Sequence, residues 1–248
     1  MEDILSHLLS ANNQERQDAE VRYELLKKDN VVALLSSMLQ IMCMSNHAAA
    51  IRSMAAVLVR RLLIDDDGVD EQYTYRKMSE TDQTTLRMQL INAIKSEKEP
   101  YILARVIDIV GELCVSVLEA NEWPEIMPYI KHCLQGSDTQ EVETGMLLVG
   151  LIAPAYVNVF LDNEHFGPLL SALCVNIRDP SRGFRTMLAA LKALASLVSL
   201  ISRPSVQDKF LPISIPCLEG LQAVCSEAQK ILHQNNDEEN QNPSEQES

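Results

Sequence analysis

The sequence predicts an all-α fold: a right-handed α-solenoid of about five helix pairs plus a partial sixth. Three observations predict it. Apolar residues recur at helical spacing along most of the chain. The composition is 46% hydrophobic but only 4% aromatic, with 8 Gly in 248 residues, which favours helices over strands and hairpins. The helical segments also follow one another in pairs, as stacked repeats do.

The first pair is read at residues 2–10 and 12–28, and the second at 30–44 and 47–64. The third covers 80–97 and 100–120, the fourth 123–134 and 139–156, and the fifth 164–178 and 181–201. A sixth begins near Val206 and continues to about His233. Pro100, Pro124 and Pro180 stand where helices should begin, because the first turn tolerates a missing N–H. Asp138 stands where an N-cap acceptor is needed, and Gly136 where the preceding helix should stop.

The second helix of each pair shows why the pairs should stack. Ile51, Met54, Ala55, Leu58 and Leu62 form one apolar stripe; Ile102, Val106, Ile109, Leu113 and Val117 form another. Beside the latter runs a second stripe, Leu103, Ile107, Val110 and Cys114. A face that wide touches more than one neighbour. Arg16, Arg52 and Arg185 sit early in three of these helices, with Leu103 and Glu143 in the equivalent slots of the other two. The slots step by 36, 51, 40 and 42 residues. HEAT repeats have a period of about 40–47 residues. The long step holds an insertion at 65–79 that opens with Asp65, Asp66 and Asp67. The domain reading is therefore a HEAT-repeat solenoid over 1–233 with an inserted loop at 65–79. Residues 234–248 form an acidic tail, too polar to fold.

The net charge is −14, and removing the five carboxylates of the tail still leaves −9. Such a surface repels phosphates and anionic lipid, so no direct nucleic acid or membrane partner is expected. It suits basic proteins. The apolar run from Met187 to Ile201 is too short to span a bilayer and contains Lys192. The six cysteines form no C-x-x-C pair and read as small core residues in a reducing compartment.

Signatures of catalysis are missing. Gly145 and Gly150 have the spacing of a phosphate-binding loop, but Leu151 and Ile152 stand where Lys and Ser or Thr are required. His132 and Cys133, with Cys114, lack the spacing of metal ligands. The expectation is no enzyme, no cofactor and no metal.

Polar lines run along the second helices of the first three pairs. Glu15, Asp18 and Arg22 lie at i, i+3 and i+7; Arg105, Asp108 and Glu112 repeat that spacing; Ser53, Ala56 and Arg60 form the comparable line between them. Each line is either a solvated face with internal charge pairs or part of a shared protein-binding wall.

Three segments resemble the importin-beta (karyopherin-beta) superfamily, and the importin beta-3 group within it. The run from Arg52 through Arg60 and Arg61 to Leu63 is similar to that family's second B helix. The run Ala19 to Glu24 resembles its first B helix, and Asn121-Glu122-Trp123-Pro124-Glu125 the start of its fourth A helix. The resemblance covers roughly residues 1–200. It implies a nuclear transport receptor that shuttles between cytoplasm and nucleus. Its first repeats would bind Ran in the GTP form through B-helix residues, and grooves between A helices would take nucleoporin Phe-Gly repeats. Basic cargo proteins would bind later repeats. Matched by helix and face, the candidate Ran contacts are Asp18, Arg22, Ser53, Arg60, Arg105 and Asp108. Full receptors are several times longer, so cargo-binding repeats are expected to be missing here. The alternative is a non-transport HEAT scaffold or chaperone for basic proteins.

Overall fold

The computed structural model describes residues 1–64, 74–117, 122–156 and 163–199, with short helical stretches between 218 and 230. The described residues are helical and contain no strand. Asp65 to Asp67, residues 118–121, Cys217, most of the sixth pair and the tail at 234–248 lie outside them. Two compact units emerge, Met1–Ile126 and Met127–Ser248.

In the first unit, α1 is Glu2–Leu8, α2 is Asn13–Cys43, and α3 is Ala49–Ile64. α4 is a single turn, Thr74–Lys77; α5 is Glu80–Ser96; α6 is Pro100–Glu112 and continues as a π-helical turn, Leu113–Val117. α2 carries both helices expected at 12–28 and 30–44. The break between them is Asn30, whose backbone leaves the helical region at φ −156°, ψ 91°. Asn30 Oδ1 then accepts from the N–H of Ala33 at 2.9 Å, capping the second half. Within the expected insertion, residues 74–77 are helical and Thr74 and Tyr75 are buried, so the end of that segment belongs to the packed body.

Packing follows the stripes. α2 packs on α3, α5 on α6, and α3 on α6. Every residue of both α6 stripes is buried, from Ile102 to Val117 and from Leu103 to Cys114. The second helices of adjacent pairs thus stack directly on each other, as a wide apolar face requires.

In the second unit, α7 (Ile126–Gln135) begins at the boundary and α8 is Thr139–Ile152. α9 is Asn163–Arg178 and α10 is Gly183–Ser199. α10 packs on both α8 and α9. Asp138 caps α8 by accepting from the N–H of Glu141 at 2.9 Å. Two helix starts differ from expectation. Pro124 lies in a turn ahead of α7, and Pro180 opens a short 3-10 turn, Pro180–Arg182. α10 then starts at Gly183, whose φ of +81° suits glycine and few other residues.

Gly145 and Gly150 lie within α8, not in a loop. A Cβ at Gly145 would stand 2.8 Å from Cys133 Cβ and 3.1 Å from Leu134 Cδ2. One at Gly150 would stand 3.4 Å from Ala193 Cα. These glycines let α8 approach its neighbours closely. Gly145→Val is therefore expected to overpack the contact with α7 and cost about 1–3 kcal/mol, read as a lowered melting temperature.

Cys114, Cys133 and Cys174 are buried as expected, but Cys43 and Cys225 are exposed. Cys43 ends α2, where the buried stripe gives way to solvent. Among the described residues no helix is long and apolar enough to cross a membrane, and no three His, Cys, Asp or Glu residues are grouped to hold a metal ion. His132 is exposed while Cys133 beside it is buried.

Candidate partner-binding surface

The candidate residues fall into two sets. Asp18 and Arg22 stand on the first half of α2, which buries little beyond Ala19. Asn12 caps this helix by accepting from the N–H of Gln14 at 2.9 Å. One turn on, Asp18 accepts from Gln14 Nε2 at 2.9 Å. Arg22 reaches Asp3 of α1 at 3.0 Å. That hydrogen bond draws the Asp3 carboxyl below its ordinary range. Both partners are exposed, so the pair orients Arg22 more than it stabilises the fold.

Ser53, Arg60, Arg105 and Asp108 form the second set, on α3 and α6. Because these helices pack on each other, their polar edges meet. Arg60 gives Nε and Nη2 to the two carboxylate oxygens of Glu112, a bidentate pair across the helices. Glu112 keeps the Arg60 guanidinium protonated beyond its ordinary range. Burial pushes the Asp108 carboxyl up, and the charges of Arg105 and Arg60 offset part of that effect. Ala56, on the polar line between Ser53 and Arg60, is buried. That line is thus interrupted: only its two ends reach the surface network.

Sequence reasoning missed Tyr101. Its hydroxyl accepts from Arg105 Nη2 at 3.0 Å, and the same guanidinium sits 5.1 Å from the ring centroid. Ser53 hydrogen-bonds the same hydroxyl from α3. The signal was present as a tyrosine four residues before an arginine, on one face of a helix. Arg105 first, then Ser53, holds the Tyr101 phenol below its usual ionisation range. A lowered value means Tyr101 should deprotonate at lower pH than an ordinary exposed phenol, whose pKa is ~10. A phenolate absorbance titration should lose a component lying below the ordinary phenol range in Tyr101→Phe. In Arg105→Ala that component should move to higher pH.

Two further ion pairs shape the first unit. Arg52 lies inside it, paired with Glu97. Arg76 of α4 donates to Glu122 at 2.5 and 2.8 Å and to the Val117 carbonyl, fixing the segment that carries Trp123. Arg52 and Trp123 both come from the segments that carried the family resemblance, and both are core residues.

Residues 98–235, more than half of the chain, match the family model described as IPO5-like, TPR repeats. The chain belongs to the importin-beta superfamily. TPR and HEAT repeats are both helix pairs, differing in period. Among members of the superfamily, the probable importin-5 homolog of Dictyostelium discoideum is 22% identical over 220 residues, 89% of this chain and 20% of that protein. The crystal structure of Kap121p superposes with a TM-score of 0.72 at 17% identity, over 91% of this chain and 20% of Kap121p. Yeast importin-beta, Kap95p, gives 0.70 at 18% identity, over 90% of this chain and 28% of Kap95p. The fold is thus the HEAT-repeat fold of the karyopherins, and the chain spans 20–28% of the length of these relatives.

Proposed function

We propose that this chain acts as the Ran-binding, amino-terminal type of region in a nuclear transport receptor for protein import, within the importin beta-3 group. It binds partners and does not catalyse a reaction. The observation that carries the reading is the charged network joining Ser53, Tyr101, Arg105, Asp108, Arg60 and Glu112 across stacked α3 and α6. Asp18 and Arg22 extend the candidate surface along α2. Support comes from the relatives. Kap95p binding is described as inducing the switch loops of RanGDP to adopt the GTP-bound conformation. Kap121p is described as bound to Nup53p and to the SUMO protease Ulp1p. By analogy, Ran in the GTP form and nucleoporin Phe-Gly repeats are the partners of this chain, with basic cargo proteins only where cargo-binding repeats are present, and it shuttles between cytoplasm and nucleus. Its solenoid covers 1–233, with the insertion at 65–79 and the acidic tail at 234–248. The test is a pull-down with Ran loaded with GTP or GDP. Capture of the GTP form alone supports the reading; equal capture of both forms, or of neither, sinks it.

The net charge of −14 favours a second reading, a scaffold or chaperone for basic proteins outside transport. Binding of that kind weakens steeply with salt and ignores the nucleotide state of Ran. Basic-protein binding that survives high salt, or that GTP-loaded Ran displaces, counts against it.

A further inference from the structure

Helix α3 is basic in an acidic chain. It carries Arg52, Arg60 and Arg61 and no Asp or Glu, while the chain as a whole carries −14. Arg52 is held inside by Glu97, but Arg60 and Arg61 are exposed. A guanidinium fork matches a carboxylate in two parallel hydrogen bonds. At Arg60 that fork is filled by Glu112, a residue of the same chain. Water reaches both members, whose side chains are 49% and 36% exposed. The pair is bidentate, but an ion pair this open stays in exchange with water, so another carboxylate can take the place of Glu112 at the same fork. One edge of the same face is already fixed. Arg105 is stacked on the ring of Tyr101 and bonded to its hydroxyl, and Ser53 bonds that hydroxyl from α3. Tyrosine and arginine held in one geometry are the residues that most often dominate interface energies.

We infer that the α3–α6 face takes an acidic segment of a partner protein, and that Glu112 is the built-in competitor for it. A partner carboxylate displaces Glu112 from Arg60, and the Tyr101–Arg105 platform packs against the arriving segment. The choice of this face rests on the functional reading above, but the chemistry can be tested without Ran.

The test is fluorescence anisotropy of a labelled short poly-glutamate peptide with the full chain at low ionic strength. Glu112→Gln is expected to tighten binding about 3- to 5-fold, the range of an exposed ion pair. Arg60→Gln in the Glu112→Gln background is expected to abolish the gain. Glu80→Gln, an exposed carboxylate at the start of α5, makes the same change in net charge and is expected to do much less. The inference is overturned if Glu112→Gln binds no better than Glu80→Gln, if no variant binds the peptide, or if the gain persists without Arg60. It is also overturned if a single-stranded oligonucleotide of equal charge binds Glu112→Gln as tightly as the peptide. Failure of Ran to bind, beside a positive peptide result, would remove the transport reading and leave the acidic-segment site standing.

Discussion

Replacing Arg52 by alanine is expected to destabilise Met1–Ile126 by about 3–5 kcal/mol, the cost of removing one partner from a buried ion pair. Arg52 and Glu97 are 5% and 8% exposed, so neither is solvated by water to a useful degree. Together they fasten three elements. Arg52, on α3, gives Nη2 to Glu97 at the end of α5 and Nε to the Met42 carbonyl of α2 at 3.0 Å. The other oxygen of Glu97 accepts from the N–H groups of Lys98 and Glu99 at 3.0 and 2.9 Å, shaping the turn into α6. Alanine at 52 takes the guanidinium away from the buried carboxylate and its Nε donor away from the Met42 carbonyl. The double variant Arg52→Met with Glu97→Gln is expected to recover much of the loss. It removes both charges and keeps an acceptor for the turn. Urea unfolding can follow both variants through the fluorescence of Trp123, the one tryptophan of the chain, which lies in the same unit. A single Arg52→Ala variant as stable as the wild type would show that the pair is not desolvated as described.

Trp123→Ala is expected to cost a similar amount, about 3–5 kcal/mol, through a different cause. Trp123 is 1% exposed and is among the largest fully buried side chains. It precedes α7, and its carbonyl accepts from the N–H of Ile126 at 3.2 Å. Removing the indole leaves a cavity that its neighbours fill only in part. Arg76 holds Glu122, so the adjoining backbone cannot easily collapse inward. Trp123→Phe keeps most of the volume and should cost much less. Circular dichroism at increasing urea measures all three proteins. A loss under about 1 kcal/mol for the alanine variant would contradict the burial, because a solvent-facing substitution changes stability by about half that.

The helices were legible because their apolar stripes repeat at the helical period, and α6 buries both stripes that its sequence displays. The break at Asn30 and the cap at Asp138 were legible for a local reason: their side chains bond backbone groups three residues away. Helix starts at proline were less so. Pro124 and Pro180 satisfy the first turn of a helix and a preceding turn equally well. The positive φ of Gly183 placed the start of α10 beyond Pro180. The pairs across elements were not legible at all. Arg60 with Glu112 and Arg52 with Glu97 join residues 52 and 45 positions apart, and nothing local says which edges meet. The meeting of the candidate residues was hidden for the same reason. Stacking of α3 on α6 brought four of its six residues into one network, whereas Arg22 turned to Asp3 on α1. Arg52 read as a repeat-register residue and proved to be a core charge.

Ran binding at the α3–α6 face is tested by a calorimetric titration of the full chain with Ran in each nucleotide state, repeated with Arg105→Ala. Arg105 is exposed enough to contact a partner and is held in place by Tyr101. A Ran-binding face on α3 and α6 should give tight binding of the GTP form, binding of the GDP form at least ~10-fold weaker, and a loss of about 5-fold or more for Arg105→Ala, the scale of an interface residue worth ~1 kcal/mol. Equal affinity for both nucleotide states, or an Arg105→Ala variant that binds like the wild type, would contradict it.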